Sequence, residues 1–215
     1  MSDRFYNFVW GAGCHVFWLT SKPVVIGADR TKIDGPFILA ATHSSAYDIP
    51  LLIRHTRRVI DFVSTVEVFS QGKLFAWFYR SLGAFPLDRS KPDAPTVRTI
   101  LDRLANGRVV AIFPEGGIKK EQHAVYNTRK MRPGIGRIAK LANVPIVPVV
   151  LLGSIAYSKW WSWLPIRQVR YGVIYGEPIV PDQNDLATEE LLIARFVSLN
   201  GQLRDKMNAR VSETP

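Results

Sequence analysis

The 215-residue chain of 24.3 kDa contains 47% hydrophobic and 21% charged residues, a composition typical of a globular protein, which excludes a disordered, collagenous or coiled-coil chain. Its length suits a single domain with a hydrophobic core large enough to be stable without disulfides or a structural metal. The single cysteine, Cys14, excludes an internal disulfide. Lysine and arginine number 28 against 18 aspartate and glutamate, and this net charge of +10 indicates an anionic partner such as nucleic acid, anionic lipid or a phosphorylated substrate.

The first predicted element is an N-terminal helix over residues 5–19, a stretch shorter than the ~20 apolar residues of a membrane-spanning helix. It carries Asn7 and His15, and it lacks the cationic start and small-residue cleavage site of a signal peptide. Its aromatic residues suit a helix on a membrane surface as well as one buried against the fold. We expect an amphipathic, membrane-facing helical segment over residues 1–22, followed by the main domain over residues 23–215.

Short β-branched runs then alternate with helical patterns, which predicts a single α/β domain with a mixed, mostly parallel sheet flanked by helices. The predicted strands cover residues 24–27, 37–42, 59–64, 109–114, 146–153 and 169–175. The predicted helices cover residues 49–57, 72–82, 94–106, 135–143 and 188–210. Asn106 and Gly107 form a helix stop, and Thr188, with Glu189 in the first turn, is the expected start of the last helix.

The first candidate for chemistry is His43, which follows the predicted strand 37–42 at its C-terminal end, where α/β sheets bind their ligands. Asp48 lies five positions further on, so the two side chains meet only if the small, polar residues 44–46 form a turn. Pro50 is tolerated in the first turn of a helix, which places Asp48 near a helix N-terminus, where a carboxylate is stabilised. Such a pair is either a general base with its orienting acid, or a histidine and a capping aspartate without chemistry.

Two further segments place polar residues after strands. Residues 113–117 follow the strand that begins at Val109, and their glycines leave backbone amides free to approach a ligand. Within them, Glu115 is placed to accept a hydrogen bond from a substrate hydroxyl. Arg89 follows a short apolar strand, where a guanidinium suits bidentate phosphate binding or, alternatively, a surface salt bridge.

Taken in order, these blocks resemble the glycerolipid acyltransferase family, which includes the 1-acylglycerol-3-phosphate acyltransferases, over residues 37–152. The matching motifs are H-x4-D at His43 and Asp48, a glycine-to-arginine motif at Gly83, Phe85 and Arg89, F-P-E-G at 113–116, and V-P-I-V-P-V at 144–149. Residues 131–134 are similar to the family's lysine-x-glycine approach to the next helix. Ser45 matches the family's common serine, whereas Thr42 replaces its usual asparagine.

The resemblance implies transfer of a fatty acyl group from acyl-CoA or acyl carrier protein to the hydroxyl of a lysophosphatidic acid-type acceptor. In this role His43 is the general base and Asp48 orients it. The expected acceptor-binding residues are Arg89, Glu115, Gly116, Lys119 and Arg132. No metal is expected, because His43 and Asp48 have no third His or Cys at ligand spacing, and no cofactor is expected. No covalent acyl-enzyme is expected, because no serine lies in a G-x-S-x-G elbow.

The third motif departs from the family pattern in a way that concerns the acceptor. Many members carry threonine and arginine after F-P-E-G, whereas Gly117 and Ile118 stand there in this chain. Lys119, Lys120 or Arg132 are available as replacements, although a lysine offers a point charge and not a planar fork. The same chemistry on another acceptor, such as a lysophospholipid, an ornithine-type lipid or a glycolipid, is therefore an alternative.

The expected partners are the acyl donor, the lyso-lipid acceptor and an anionic membrane surface. Residues 158–167 hold three of the six tryptophans next to cations, which is typical of an interfacial anchor and also of a loop packed on the fold. Each Lys or Arg near an anionic leaflet contributes about 1 kcal/mol. We expect peripheral attachment to the cytoplasmic face of the membrane, released by high salt and detergent. Nucleic acid is not expected as a partner, because the sequence shows no zinc pattern, RNP-like motif or basic helix.

Overall fold

The computed structural model of the chain describes residues 3–56, 58–65, 70, 72–81, 83–87, 94–164 and 168–212. The strands within them are β1 (Ser21–Ile26), β2 (Phe37–Ala41), β3 (Ile60–Thr65), β4 (Phe85–Leu87), β5 (Val109–Ile112), β6 (Ile146–Leu152) and β7 (Val169–Tyr175). The helices are α1 (Asp3–Thr20), α2 (Asp48–His55), α3 (Lys73–Ser81), α4 (Ala94–Ala105), α5 (Val125–Thr128), α6 (Ile135–Ala142) and α7 (Asp185–Ser212).

The strands form one seven-stranded sheet in the order β1-β7-β6-β2-β5-β3-β4. Every neighbouring pair is parallel except β6 with β7, which is antiparallel, so the prediction of a mixed, mostly parallel sheet is confirmed. β2 lies between β5 and β6, and all of its residues are buried, as expected for a central parallel strand that is covered on both faces.

The sheet separates two hydrophobic clusters. One contains Phe17 of α1 and Leu51 of α2 with Tyr157, and the other contains Leu104 of α4 and Phe196 of α7. Each fully buried aliphatic or aromatic side chain of this size contributes about 1.5–3 kcal/mol. The helices therefore pack through apolar residues on both faces of the sheet, and the polar loops lie at the ends of the strands.

Most predicted elements are present with ends shifted by a few residues, but the start of the last helix was predicted wrongly. α7 begins at Asp185, where the side-chain oxygen of Asn184 accepts the backbone N–H of Leu186 at 3.0 Å. Thr188 lies inside the first turn, and its hydroxyl accepts the N–H of Asp182 at 2.8 Å. The Glu189 carboxylate instead binds the backbone N–H groups of Gly134 and Gly136 at 2.7 and 3.2 Å, at the start of α6.

A charged network joins β3 to α4 and to the residues after it. The side chain of Asp61 is fully buried, and it forms an ion pair of 2.7 Å with Arg103. Arg108 binds the same carboxylate through both Nε, at 3.0 Å, and Nη2, at 2.7 Å, which is the bidentate geometry of a strong charge-assisted pair. The backbone of Gly83 approaches the carboxylate so closely that a Cβ there would lie 2.7 Å from Oδ1.

Removal of this buried charge is expected to destabilise the fold. Asp61→Asn leaves two arginines that face a neutral amide, and we expect unfolding free energy to fall by about 2 kcal/mol or more. The loss is below that of a fully dry pair, because the arginines keep some contact with water. Urea denaturation measures it, with Asp102→Asn on the exposed side of α4 as the control. Equal stability of the two variants would contradict the prediction.

Candidate active site

The site is built around the turn between β2 and α2. His43 lies two residues after the end of β2, and Asp48 is the first residue of α2. Their side chains meet, with Nδ1 of His43 3.0 Å from Oδ2 of Asp48. The aspartate side chain is fully buried, whereas the histidine side chain is 12% exposed. The imidazole therefore lies at the rim of the sheet with its supporting acid beneath it.

The Asp48 carboxylate is held by the turn that it closes. Oδ2 accepts the backbone N–H groups of Ser44 at 2.7 Å and Ser45 at 2.9 Å, in addition to its contact with His43. An ionised carboxylate accepts all of these bonds, since it has only acceptor sites. The hydrogen-bond partner of Nδ1 is thus an acceptor, which assigns the proton to Nδ1 and leaves Nε2 as a lone-pair nitrogen able to take up a proton.

Three other side chains support the pair, and none of their roles was predicted from the sequence. The ring of Phe113 stacks on the imidazole of His43 with a centroid distance of 4.1 Å and an interplanar angle of 20°. The hydroxyl of Ser44 lies 3.5 Å from Oδ1 of Asp48 and 3.1 Å from the hydroxyl of Ser154, which is fully buried after β6. No sequence signal marks Ser154, because its contact joins residues 110 positions apart.

Glu115 of the F-P-E-G segment is buried beside His43. Its Oε2 accepts the backbone N–H of His43 at 2.7 Å, and its Oε1 accepts the N–H of Val125 at 2.8 Å. Burial raises the pKa of the Glu115 carboxyl above its ordinary value, while the two N–H donors act in the opposite direction. Both oxygens are thus bound to the backbone of this chain, whereas the sequence suggested a contact with a substrate hydroxyl.

Of the other expected acceptor-binding residues, Gly116 and Lys119 lie on the loop before α5, and Arg132 lies after that helix. Gly116 has φ 72°, a backbone conformation that favours glycine, and the side chain of Arg132 packs over it, where a Cβ would collide with Nε. The backbone N–H of Lys119 donates to the carbonyl of His43 at 2.7 Å, and that of Arg132 donates to the carbonyl of Pro114 at 2.8 Å. Both residues are exposed. Arg89 lies outside the described residues.

The arrangement combines two chemical capacities. An oriented imidazole with a free Nε2 can remove a proton from a hydroxyl group at the surface. Exposed cations beside it can bind an anionic group: Lys119 lies before α5 and Arg132 after it, and backbone hydrogen bonds join them to His43 and Pro114 respectively. A hydroxyl-bearing, negatively charged substrate fits both.

Comparison with known proteins agrees with this chemistry. The model of the family described as acyltransferase matches residues 22–152. The chain is 26% identical over 205 residues to the 1-acyl-sn-glycerol-3-phosphate acyltransferase of Bacillus subtilis, covering 94% of this chain and 97% of that protein. It is 28% identical over 182 residues to the enzyme of the same name from Streptococcus pneumoniae, covering 82% of this chain and 64% of that protein.

The fold is shared with a solved structure. The crystal structure of the 1-acyl-sn-glycerophosphate acyltransferase of Thermotoga maritima matches with a TM-score of 0.71 and 22% identity, over 95% of this chain and 84% of that chain. The family match spans more than half of the sequence and includes His43, Asp48 and the F-P-E-G segment. The chain is therefore a member of the acyltransferase family.

Proposed function

We propose that this protein transfers a fatty acyl group from a thioester donor, acyl-CoA or acyl carrier protein, to the hydroxyl of lysophosphatidic acid. The observation that carries the proposal is the hydrogen bond between Nδ1 of His43 and the buried Asp48 carboxylate, which leaves Nε2 free at the rim of the sheet. The relatives in Bacillus subtilis and Streptococcus pneumoniae bear the name of this activity.

The reaction requires two proton transfers, from the acceptor hydroxyl to His43 and from His43 to the leaving thiolate. Nε2 of His43 removes the proton of the acceptor hydroxyl while the oxygen attacks the thioester carbonyl, and the Asp48 carboxylate stabilises the imidazolium that forms. Collapse of the tetrahedral intermediate breaks the carbon–sulfur bond, and the thiolate leaves with the proton that His43 returns. The products are the ester and the free thiol, and the enzyme carries no acyl group in between.

Loss of the base is expected to remove most of the activity. His43→Ala lowers the transfer rate at least about 100-fold, the usual contribution of a general base. Asp48→Asn lowers it by a similar factor, because an amide offers no charge to the imidazolium and can impose the wrong tautomer. Release of thiol from acyl-CoA measures the rate, with His123→Ala on the neighbouring exposed loop as the matched control. A fully active His43→Ala protein would rule out the mechanism.

In this proposal, the phosphate group of the acceptor is bound by the cationic side chains beside the site. Arg132 is the strongest candidate, because its guanidinium packs over Gly116 on the same loop that contacts His43. Lys119 and Arg89 are the other proposed phosphate-binding residues. Gly116 contributes indirectly, because it leaves room for the side chain of Arg132. A second candidate function, the same chemistry on another lyso-lipid, is favoured by Ile118, an apolar residue that is 57% exposed where many family members carry arginine.

A panel of lyso-lipid acceptors distinguishes the two functions. With lysophosphatidic acid we expect Arg132→Ala to raise the KM at least about tenfold, because a charge-assisted bidentate pair is worth about 1.5–3 kcal/mol. Arg132→Lys restores part of the loss, and Arg137→Ala on α6 is the control. Mass spectrometry identifies the acylated product. Preferential acylation of a lyso-lipid without a phosphate monoester, unchanged by Arg132→Ala, would favour the second function.

Membrane attachment is proposed through one aromatic surface, formed by α1 and the short helix Trp160–Trp163. Phe8 and Trp18 are each 70% exposed, and Trp160 is 72% exposed. Phe17 of α1 contacts Trp163 with a centroid distance of 5.7 Å, which joins the two segments. In the part of the chain that the structure describes, no helix has the length and apolarity needed to cross a bilayer. Aromatic residues with nearby cations suit peripheral binding to an anionic, cytoplasmic leaflet.

The position of α1 outside the sheet suits a separate role in membrane attachment. α1 ends at Thr20, and β1 begins at the next residue and enters the sheet beside β7. We propose residues 1–22, which include α1 and the first two residues of β1, as the membrane-facing segment and residues 23–215 as the acyltransferase domain.

Vesicle binding tests the aromatic surface. The double variant Trp160→Ala and Trp161→Ala is expected to bind vesicles of phosphatidylglycerol and phosphatidylcholine at least about tenfold more weakly, because two exposed indoles lose their burial in the interface. Leu141→Ala, an exposed apolar residue on α6 across the sheet, serves as the control and keeps full binding. Flotation measures the bound fraction at low and high salt. Unaltered binding of the double variant would exclude this surface.

A further inference from the structure

Glu115 connects the end of β5 to the end of β2. Residues 113–116 directly follow β5, and the Glu115 carboxylate reaches the backbone N–H of His43 at 2.7 Å. Its other oxygen reaches the N–H of Val125, the first residue of α5, at 2.8 Å. A single buried side chain therefore ties the catalytic histidine to two other segments of the site.

The same segment holds His43 from its other side. The carbonyl of His43 accepts the backbone N–H of Lys119 at 2.7 Å, so both polar groups of the histidine main chain are bound to residues 115–119. The His43 backbone has just left the sheet and has no strand partner there. Its position is consequently set by these two bonds, together with the side-chain contacts to Asp48 and Phe113.

Burial limits the access of a substrate to the Glu115 carboxylate. The residue is 6% exposed, and each oxygen already accepts a charge-assisted bond from a backbone amide. A buried carboxylate costs free energy unless such donors surround it, which favours keeping both bonds through the reaction. Turning either oxygen away from its N–H group and toward an acceptor hydroxyl would leave a buried N–H group without a partner, which is unfavourable.

We propose that Glu115 is a positioning residue, which fixes His43 through its backbone N–H, and that it does not bind the acceptor. This inference rests on the proposed function, since it assigns His43 the role of the base. A displacement of a catalytic group by about 1 Å can cost 100-fold in rate, so an effect on turnover is expected without any contact with substrate.

The kinetic test separates turnover from acceptor binding. Glu115→Gln and Glu115→Ala are expected to lower kcat at least about tenfold while the KM for the acceptor stays within about twofold of wild type. Glu115→Gln loses less, because its one amide oxygen still serves one of the two N–H groups. Glu121→Gln makes the same substitution on an exposed glutamate of the same loop, and it leaves kcat unchanged. A raised KM with unchanged kcat would overturn the proposal and make Glu115 an acceptor ligand.

A second measurement does not depend on the reaction. In ¹⁵N-labelled protein, Glu115→Gln is expected to speed hydrogen exchange of the His43 and Val125 amides at least about tenfold, while the amide of Ile38 in the sheet is unaffected. Unchanged exchange at both amides would overturn the proposal. If wild-type protein acylates none of the acceptors, the proposed function fails, and the exchange result alone then decides whether Glu115 holds His43.

Discussion

The turn between β2 and α2 depends on the solvation of one buried charge. The side chain of Asp48 is fully buried, and the free-energy cost of burying its carboxylate is offset by donors that converge on Oδ2. Two of these donors are the backbone N–H groups of Ser44 and Ser45, so the carboxylate stabilises the turn that precedes it. His43 is the third, and its ring orientation follows from the same requirement. The same hydrogen bonds therefore stabilise the aspartate and orient the His43 ring.

The parallel sheet explains why distant motifs meet at this turn. In the register of β2 with β5, Ala40 faces Ile112, so the chain leaves both strands at the same level and in the same direction. The loops after them, which begin at Thr42 and Phe113, are separated by about 70 residues in sequence yet lie side by side. Phe113 can then stack on His43, and the next buried carboxylate, Glu115, finds its donors in the backbone of the neighbouring loop.

Features that depend on neighbouring residues could be predicted from the sequence, and features that depend on packing could not. The end of β2, the turn at 44–46 and the helix that starts near Asp48 follow from apolar runs, small residues and Pro50. The partner of Ser44 could not be predicted, because Ser154 arrives from the far end of β6.

The predicted start of α7 was wrong for a different reason. Asn184 and Thr188 are both good capping residues, and local sequence does not choose between them. The hydroxyl of Thr188 binds the N–H of Asp182, while Glu189 reaches across to α6, so tertiary contacts select Asn184 as the cap. The same reasoning applies to Glu115, whose motif marked it as important without showing that its two partners are backbone amides of this chain.

The turn between β2 and α2 is also part of the aromatic packing that leads to the proposed membrane surface. Tyr47, which lies between His43 and Asp48, contacts Trp163 at 5.8 Å and Tyr157 at 6.1 Å between ring centroids. Tyr157 in turn packs edge-on against Phe17 of α1 at 5.2 Å. Rings in contact thus run from the turn to the helix that exposes Phe8 and Trp18. The turn that carries His43 and Asp48 and the helix that exposes Phe8 and Trp18 are therefore parts of one packed unit.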